Sequence, residues 1–326
     1  MKRPLFVFAG QSNMMGAAVY EASEQVCYEN SFEYLHKARR FGADIGEFKS
    51  FGFPCGEFSY IDLKKAYGDD FDVSKKSTLD TYSQNTYFCP SMCNIESDEN
   101  KSVYLFDYFS EANQKMGASL PPFIISELEK NGIFSAYTHI AKGAVAIEHY
   151  LEGDSEKYFY EKTRDFFEDC EKSFVGDDLS ERFFVWMQGE SDRQNGTEYY
   201  VSALEKLWAK LQKNGFTKFL IVRVPFWGNK DILSIMRAQE IFCEKNKDAY
   251  MLTRVSSFIP YKGIETESWQ IMGDDEKFSF CRDSFYGFNN QHINEKGFKI
   301  IAKHAVPNII RVLEGDLPIL EEERCK

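Results

Sequence analysis

Three polar segments of this chain carry side chains that could do chemistry. The first is Gly10-Gln11-Ser12-Asn13-Met14, which places a hydroxyl directly after a short apolar run. A serine at the carboxyl end of a buried strand is a candidate nucleophile, and the backbone N–H groups around it are suited to stabilising an oxyanion. The competing reading is a turn serine that caps the following helix. The second segment is Trp186-Met187-Gln188-Gly189-Glu190-Ser191-Asp192. It offers an amide donor in Gln188 and a carboxylate in Glu190, or it is simply a polar loop with a helix start. The third is Asn289-Asn290-Gln291-His292-Ile293-Asn294. Of the 5 histidines, His36, His139, His149, His292 and His304, His304 falls in a helical pattern and reads as a surface or packing residue, and His139 lies in a strand. His292 sits in a polar loop before the last helix and is the best-placed base. A lone loop histidine is usually just solvated. Together, however, the segments supply a nucleophile, a carboxamide, a carboxylate and an imidazole.

The elements that must position these groups alternate. Leu5 to Ala9 is an unbroken apolar run ending at Gly10, as a strand covered on both faces should be. Further strands are expected over 134–140, 182–187, 218–224 and 249–255. Between them, helices are expected over 123–130 after Pro121-Pro122, 155–174, 199–214 and 232–245, with 295–313 closing the chain behind Asn294 as N-cap. Strands alternating with helices predict an α/β fold, a three-layer α/β/α sandwich with a parallel sheet. In such sheets, sites form at the carboxyl ends of strands. Residues 20–118 show no clear period. They read as an insertion after the first strand, a lid or a small subdomain within one domain spanning 1–326.

Composition excludes several classes. The net charge of −12 repels phosphate backbones and anionic membranes, so neither nucleic acid nor a membrane is an expected partner. No apolar stretch approaches a membrane span, and the start of the chain does not read as a signal peptide. A cytoplasmic location follows as the expectation, with the 8 cysteines as free thiols. Cys89 and Cys93 lack a second close pair and make a poor metal site, so neither metal nor cofactor is expected. The 16% aromatic content thickens the core or provides faces on which sugar rings stack. No phosphate-binding or dinucleotide glycine motif is present.

At these residues the chain resembles the SGNH hydrolase superfamily, which is flavodoxin-like in fold, and within it the sialate O-acetylesterase and acetylxylan esterase branch. Gly10–Met14 matches that branch's first block and Gln188–Asp192 its QGESD block. Ala141-Lys142-Gly143-Ala144 resembles the block with the oxyanion-hole glycine, Met236-Arg237-Ala238-Gln239 the R-x-Q helix, and His292 with Gly297-Phe298 the final block. The resemblance implies a serine esterase that hydrolyses acetyl esters of a sugar through an acetyl-enzyme. It implies Ser12 as nucleophile, His292 as base, and an oxyanion hole of Ser12, Gly143 and Gln188. The family's last block usually places Asp three residues before the histidine. Here that residue is Asn289, which carries no charge to stabilise an imidazolium.

Glu190 is the favoured substitute for orienting His292. A Ser–His dyad comes next, and Asp283 is a further candidate. Weak or lost activity in a carbohydrate-binding homologue is an alternative, as are an acyl esterase or thioesterase of the same superfamily and an interaction protein using the aromatic insertion. The sequence names neither the sugar nor the oligomeric state. If Glu190 is the third member, kcat for an acetyl ester falls more in Glu190→Gln than in Asp283→Asn. The opposite order reassigns the role.

Overall fold

The computed structural model describes residues 1–15, 18–19, 28, 30–35, 47–49, 116–225, 232–257, 292–293 and 295–321. At its centre is β1 (Leu5–Gly10), with all six residues buried. β1 lies between two parallel neighbours, β6 (Ala136–Ala141) and β7 (Arg182–Met187). Beyond β7 come β8 (Lys218–Val222) and β9 (Ala249–Thr253). Beyond β6 come β3 (Phe32–Leu35) and, antiparallel at the edge, β4 (Glu47–Lys49). A separate antiparallel pair joins β2 (Ala18–Val19) to β5 (Met116–Ala118).

Helices α3 (Gly153–Ser173), α4 (Thr197–Lys213) and α5 (Ile232–Lys245) form one layer. They bury Phe159, Phe166, Leu204, Leu207 and Phe242 in one cluster with Leu5, Val7, Phe184, Trp186 and Phe219 of the sheet. Alternate strand residues point the other way, so Phe6, Phe8, Phe183 and Val185 form the opposite, equally buried face. α2 (Leu120–Lys130) and α6 (Glu295–Glu314) pack together as the second helical layer, Phe123 against Phe298 at 6.3 Å. Fully burying one such side chain stabilises by roughly 1.5–3 kcal/mol. The fold is therefore the α/β sandwich expected, with small shifts of boundary. α2 begins before its two prolines, which sit in its first turn, where a missing N–H removes no helical bond. Asn294, the expected cap of α6, lies outside the described residues.

One expectation changes. Two stretches inside 20–118, β3 and β4, are strands of the main sheet rather than additions beside it. β3 did not read as a strand because Glu33 interrupts its apolar residues. Glu33 is nevertheless buried, and its carboxylate accepts a hydrogen bond from the Tyr137 hydroxyl at 3.1 Å. The lid or subdomain role of the remainder lies outside the described residues, as do Cys89 and Cys93. No helix among the described residues is long and apolar enough to cross a membrane. Cys170 and Cys243 are free thiols.

The register of the three central strands brings their carboxyl ends to one level. Gly10 pairs with Ala141 of β6 on one side and with Met187 of β7 on the other. Gly10 takes φ +155°, and a Cβ there would lie 2.1 Å from the Met187 carbonyl oxygen. Gly176 also has positive φ, but nothing lies within 4 Å of the corresponding position. Gly10→Ala is expected to lose at least about 3 kcal/mol in urea unfolding, against about 1 kcal/mol for Gly176→Ala. Equal losses would show that the backbone yields at Gly10.

Candidate active site

Because β1, β6 and β7 end together, the segments after them emerge side by side, about 4.8 Å apart from strand to strand. Ser12 follows Gly10 by two residues and Gly143 follows Ala141 by two, while Gln188 and Glu190 follow Met187 by one and three. The turn after β1 is held from below. Tyr150 is buried and its hydroxyl donates to the Gly10 carbonyl at 2.6 Å, and the Lys142 N–H reaches the same oxygen at 3.2 Å.

Ser12 opens the short helix α1 (Ser12–Met15) and is half-buried. Its two neighbours are buried carboxamides. Gln11 Oε1 accepts from the Ser191 N–H at 3.1 Å and from Gln188 Nε2 at 3.3 Å. Asn13 Nδ2 donates to Glu190 Oε1 at 2.9 Å, and Asn13 Oδ1 accepts from the Ile293 N–H at 3.0 Å. Ile293 directly follows His292. The structure thus ties the serine, glutamate and histidine segments together, although hundreds of residues separate them in sequence.

Electrostatics at the site follow burial. His292 is pushed down to about 4 by desolvation, so its imidazole is neutral at neutral pH. Glu190 is fully buried, and desolvation raises its carboxyl to about 7 against the pull of the Asn13 hydrogen bond, with the nearby Asp192 charge adding to the rise. Its Oε2 has no hydrogen-bond partner among the described residues. Asp192 is raised to about 6, again chiefly by burial. After β6, Lys142 is lowered by burial, and His149 is lowered to about 4 by burial and by the Lys142 charge.

Two sequence expectations need correction in detail. Glu190 makes no direct hydrogen bond or ion pair with His292; its Oε1 is taken by Asn13, and the link to the histidine runs through that residue. The Gln188 carboxamide is not free to hold an oxyanion. Gln188 is fully buried, and its Nε2 faces Asp192 Oδ2 at 2.5 Å, the Val145 carbonyl at 3.0 Å and Gln11. Its Oε1 accepts from the Tyr200 hydroxyl at 2.6 Å. By contrast, the N–H groups of Ser12 and Gly143 donate to no group among the described residues. Asn289 and Asp283 lie outside the described residues.

Sequence reasoning placed Asp192 and Gln239 in their motifs without a role; in the structure they brace this loop. Asp192 accepts from the Ile147 N–H at 3.0 Å as well as from Gln188, joining the segments that follow β6 and β7. Gln239 donates to the Gln188 carbonyl and accepts from the Val224 N–H, both at 3.0 Å. Tyr200 was legible only as an apolar position of α4; the available hint was that a buried tyrosine hydroxyl needs a partner.

No protein-family model matches the chain, and no curated protein matches it by sequence. The fold is shared with NanS. The two align with a TM-score of 0.51 at 10% identity, over 96% of this chain and 98% of that one. A protein from Arabidopsis thaliana aligns at 0.49 and 12% identity, over 95% of this chain and 98% of that one. A carbohydrate acetylesterase from Xanthomonas citri aligns at 0.45 and 11%, over 96% of this chain and 56% of that one. At 10% identity the likeness to NanS is one of fold.

The raised Glu190 carboxyl has a consequence for stability. Its protonated form is favoured in the folded state, so the stabilisation is complete below the ordinary value of 4.5 and is lost as pH rises through about 7. Glu190→Gln removes this dependence. Its stability relative to the parent is expected to improve between about pH 4.5 and pH 8, by up to roughly 3 kcal/mol, in denaturant titrations at several pH values. A difference that does not vary with pH would show that the carboxyl ionises as readily folded as unfolded.

Proposed function

We propose that this protein is a serine hydrolase that removes acetyl groups from a carbohydrate ester. The observation that carries this reading is the Asn13 bridge. Ser12 is its chain neighbour, and the peptide after His292 is its hydrogen-bond partner. In the proposed reaction, Ser12 Oγ attacks the acetyl carbonyl while His292, neutral because it is buried, takes the hydroxyl proton. The backbone N–H groups of Ser12 and Gly143 hold the oxyanion. His292 returns the proton to the departing sugar oxygen, leaving an acetyl-enzyme. Water then attacks the acetyl-enzyme with His292 as base, and acetate leaves as Ser12 regains its proton. Gln188 serves to hold this loop in shape. A cytoplasmic location belongs to the same reading, with acetylated oligosaccharides or biosynthetic intermediates as substrates.

A second reading, an inactive carbohydrate-binding homologue, is favoured by Asn289 and by the link from Glu190 to the histidine segment running through Asn13, not through a hydrogen bond between Glu190 and His292 among the described residues. A fluorophosphonate probe separates the two, since only an activated serine reacts. Ser12→Ala is expected to lower p-nitrophenyl acetate turnover by roughly 10³-fold or more, with the circular dichroism of the parent. The Ser12 hydroxyl makes no hydrogen bond among the described residues that its loss would break. Undiminished turnover in the purified variant would overturn the assignment.

A further inference from the structure

We propose that Asn13 is the positioning residue for the histidine base, and that Glu190 acts on His292 only through it. This rests on the hydrolase reading, but one of its tests needs no turnover. A carboxamide has two chemically opposite ends, a donor and an acceptor. Asn13 is 1% exposed and uses both, Nδ2 towards Glu190 Oε1 and Oδ1 towards the Ile293 N–H. A backbone N–H can only donate, so Ile293 takes Asn13 Oδ1 and leaves Nδ2 to face Glu190 Oε1. Above about pH 7, where Glu190 is ionised and only accepts, it holds Asn13 in the same orientation. The flipped amide would set oxygen against carboxylate and N–H against N–H. The nucleophile's chain neighbour and the base's peptide thus meet at one side chain of defined orientation.

The surroundings of Glu190 fit this directing role. Among the described residues its carboxylate forms no ion pair, and its second oxygen is unpartnered. Besides Asn13, the groups that act on it are the backbone of Gly189 and Glu190 and the Asp192 charge of the same turn, while the Arg193 guanidinium donates to the Glu190 backbone oxygen at 2.9 Å. Its one side-chain hydrogen bond is the one from Asn13. Without a task of this kind, a carboxyl so desolvated is only a destabilising feature.

The test uses Asn13→Ala, Asn13→Asp and the exchange Asn13→Asp/Glu190→Gln. In Asn13→Ala, kcat for p-nitrophenyl acetate is expected to fall about 10²-fold, with KM within about twofold. By NMR, the His292 titration should move from about 4 up towards the ordinary 6.5 as its loop loosens. Asn13→Asp sets two carboxylates together. It should be weak at about pH 8 and recover towards about pH 5.5, where one proton is shared. The exchange restores a donor facing Asp and keeps the acceptor for Ile293, so it should exceed Asn13→Asp by about tenfold at pH 8. If Asn13→Ala does not fold, the near-isosteric pair carries the test. Parental kcat and an unmoved His292 titration in these variants would overturn the inference. If the parent shows no turnover that Ser12→Ala removes, the hydrolase reading fails instead, and the His292 titration still decides the role of Asn13.

Discussion

The site depends on two buried carboxamides placed on either side of one serine. Gln11 binds the segment after β7 through the Ser191 N–H, and Asn13 binds both Glu190 and the peptide after His292. Buried polar groups that lack partners are costly, so these bonds determine where the loops can lie. They can form only because β1, β6 and β7 end in register. A displacement of one residue in any of the three strands would turn its side chains to the other face.

The two buried acids of the segment after β7, Glu190 and Asp192, have different hydrogen-bond surroundings. Asp192 is surrounded by donors: Gln188, the Ile147 N–H and Asn195. It serves as a structural node joining two loops. Glu190 has a single side-chain donor, and one of its oxygens is unpartnered among the described residues. Burial is the largest influence on both carboxyls and raises each, Glu190 from 4.5 to about 7 and Asp192 from 3.8 to about 6. Nearby positions in one motif therefore differ in task because their partners differ.

How much was legible in the sequence follows the range of each interaction. β1 and β7 could be read from their apolar runs, because a strand buried on both faces has nothing to alternate. The long helices could be read from their period. β3 could not, since its buried Glu33 is made tolerable by Tyr137, about a hundred residues away. The motif segments could be recognised as candidates, but the standing of each side chain could not. Gln188 looks like a free donor in sequence, yet Asp192, Val145 and Tyr200 surround its carboxamide.

By itself the sequence determined the α/β class, the central strand and the segments that carry the hydroxyl, the carboxylate and the imidazole. Those are consequences of local residue pattern, which is written along the chain. Only the tertiary structure decided that Glu190 reaches the histidine segment through Asn13, that the Gln188 amide donates to Asp192 and Val145 within the protein, and that part of the expected insertion completes the sheet. Each of these is a hydrogen bond or strand pairing between distant residues. Whether a polar atom is free or taken depends on what the fold brings against it.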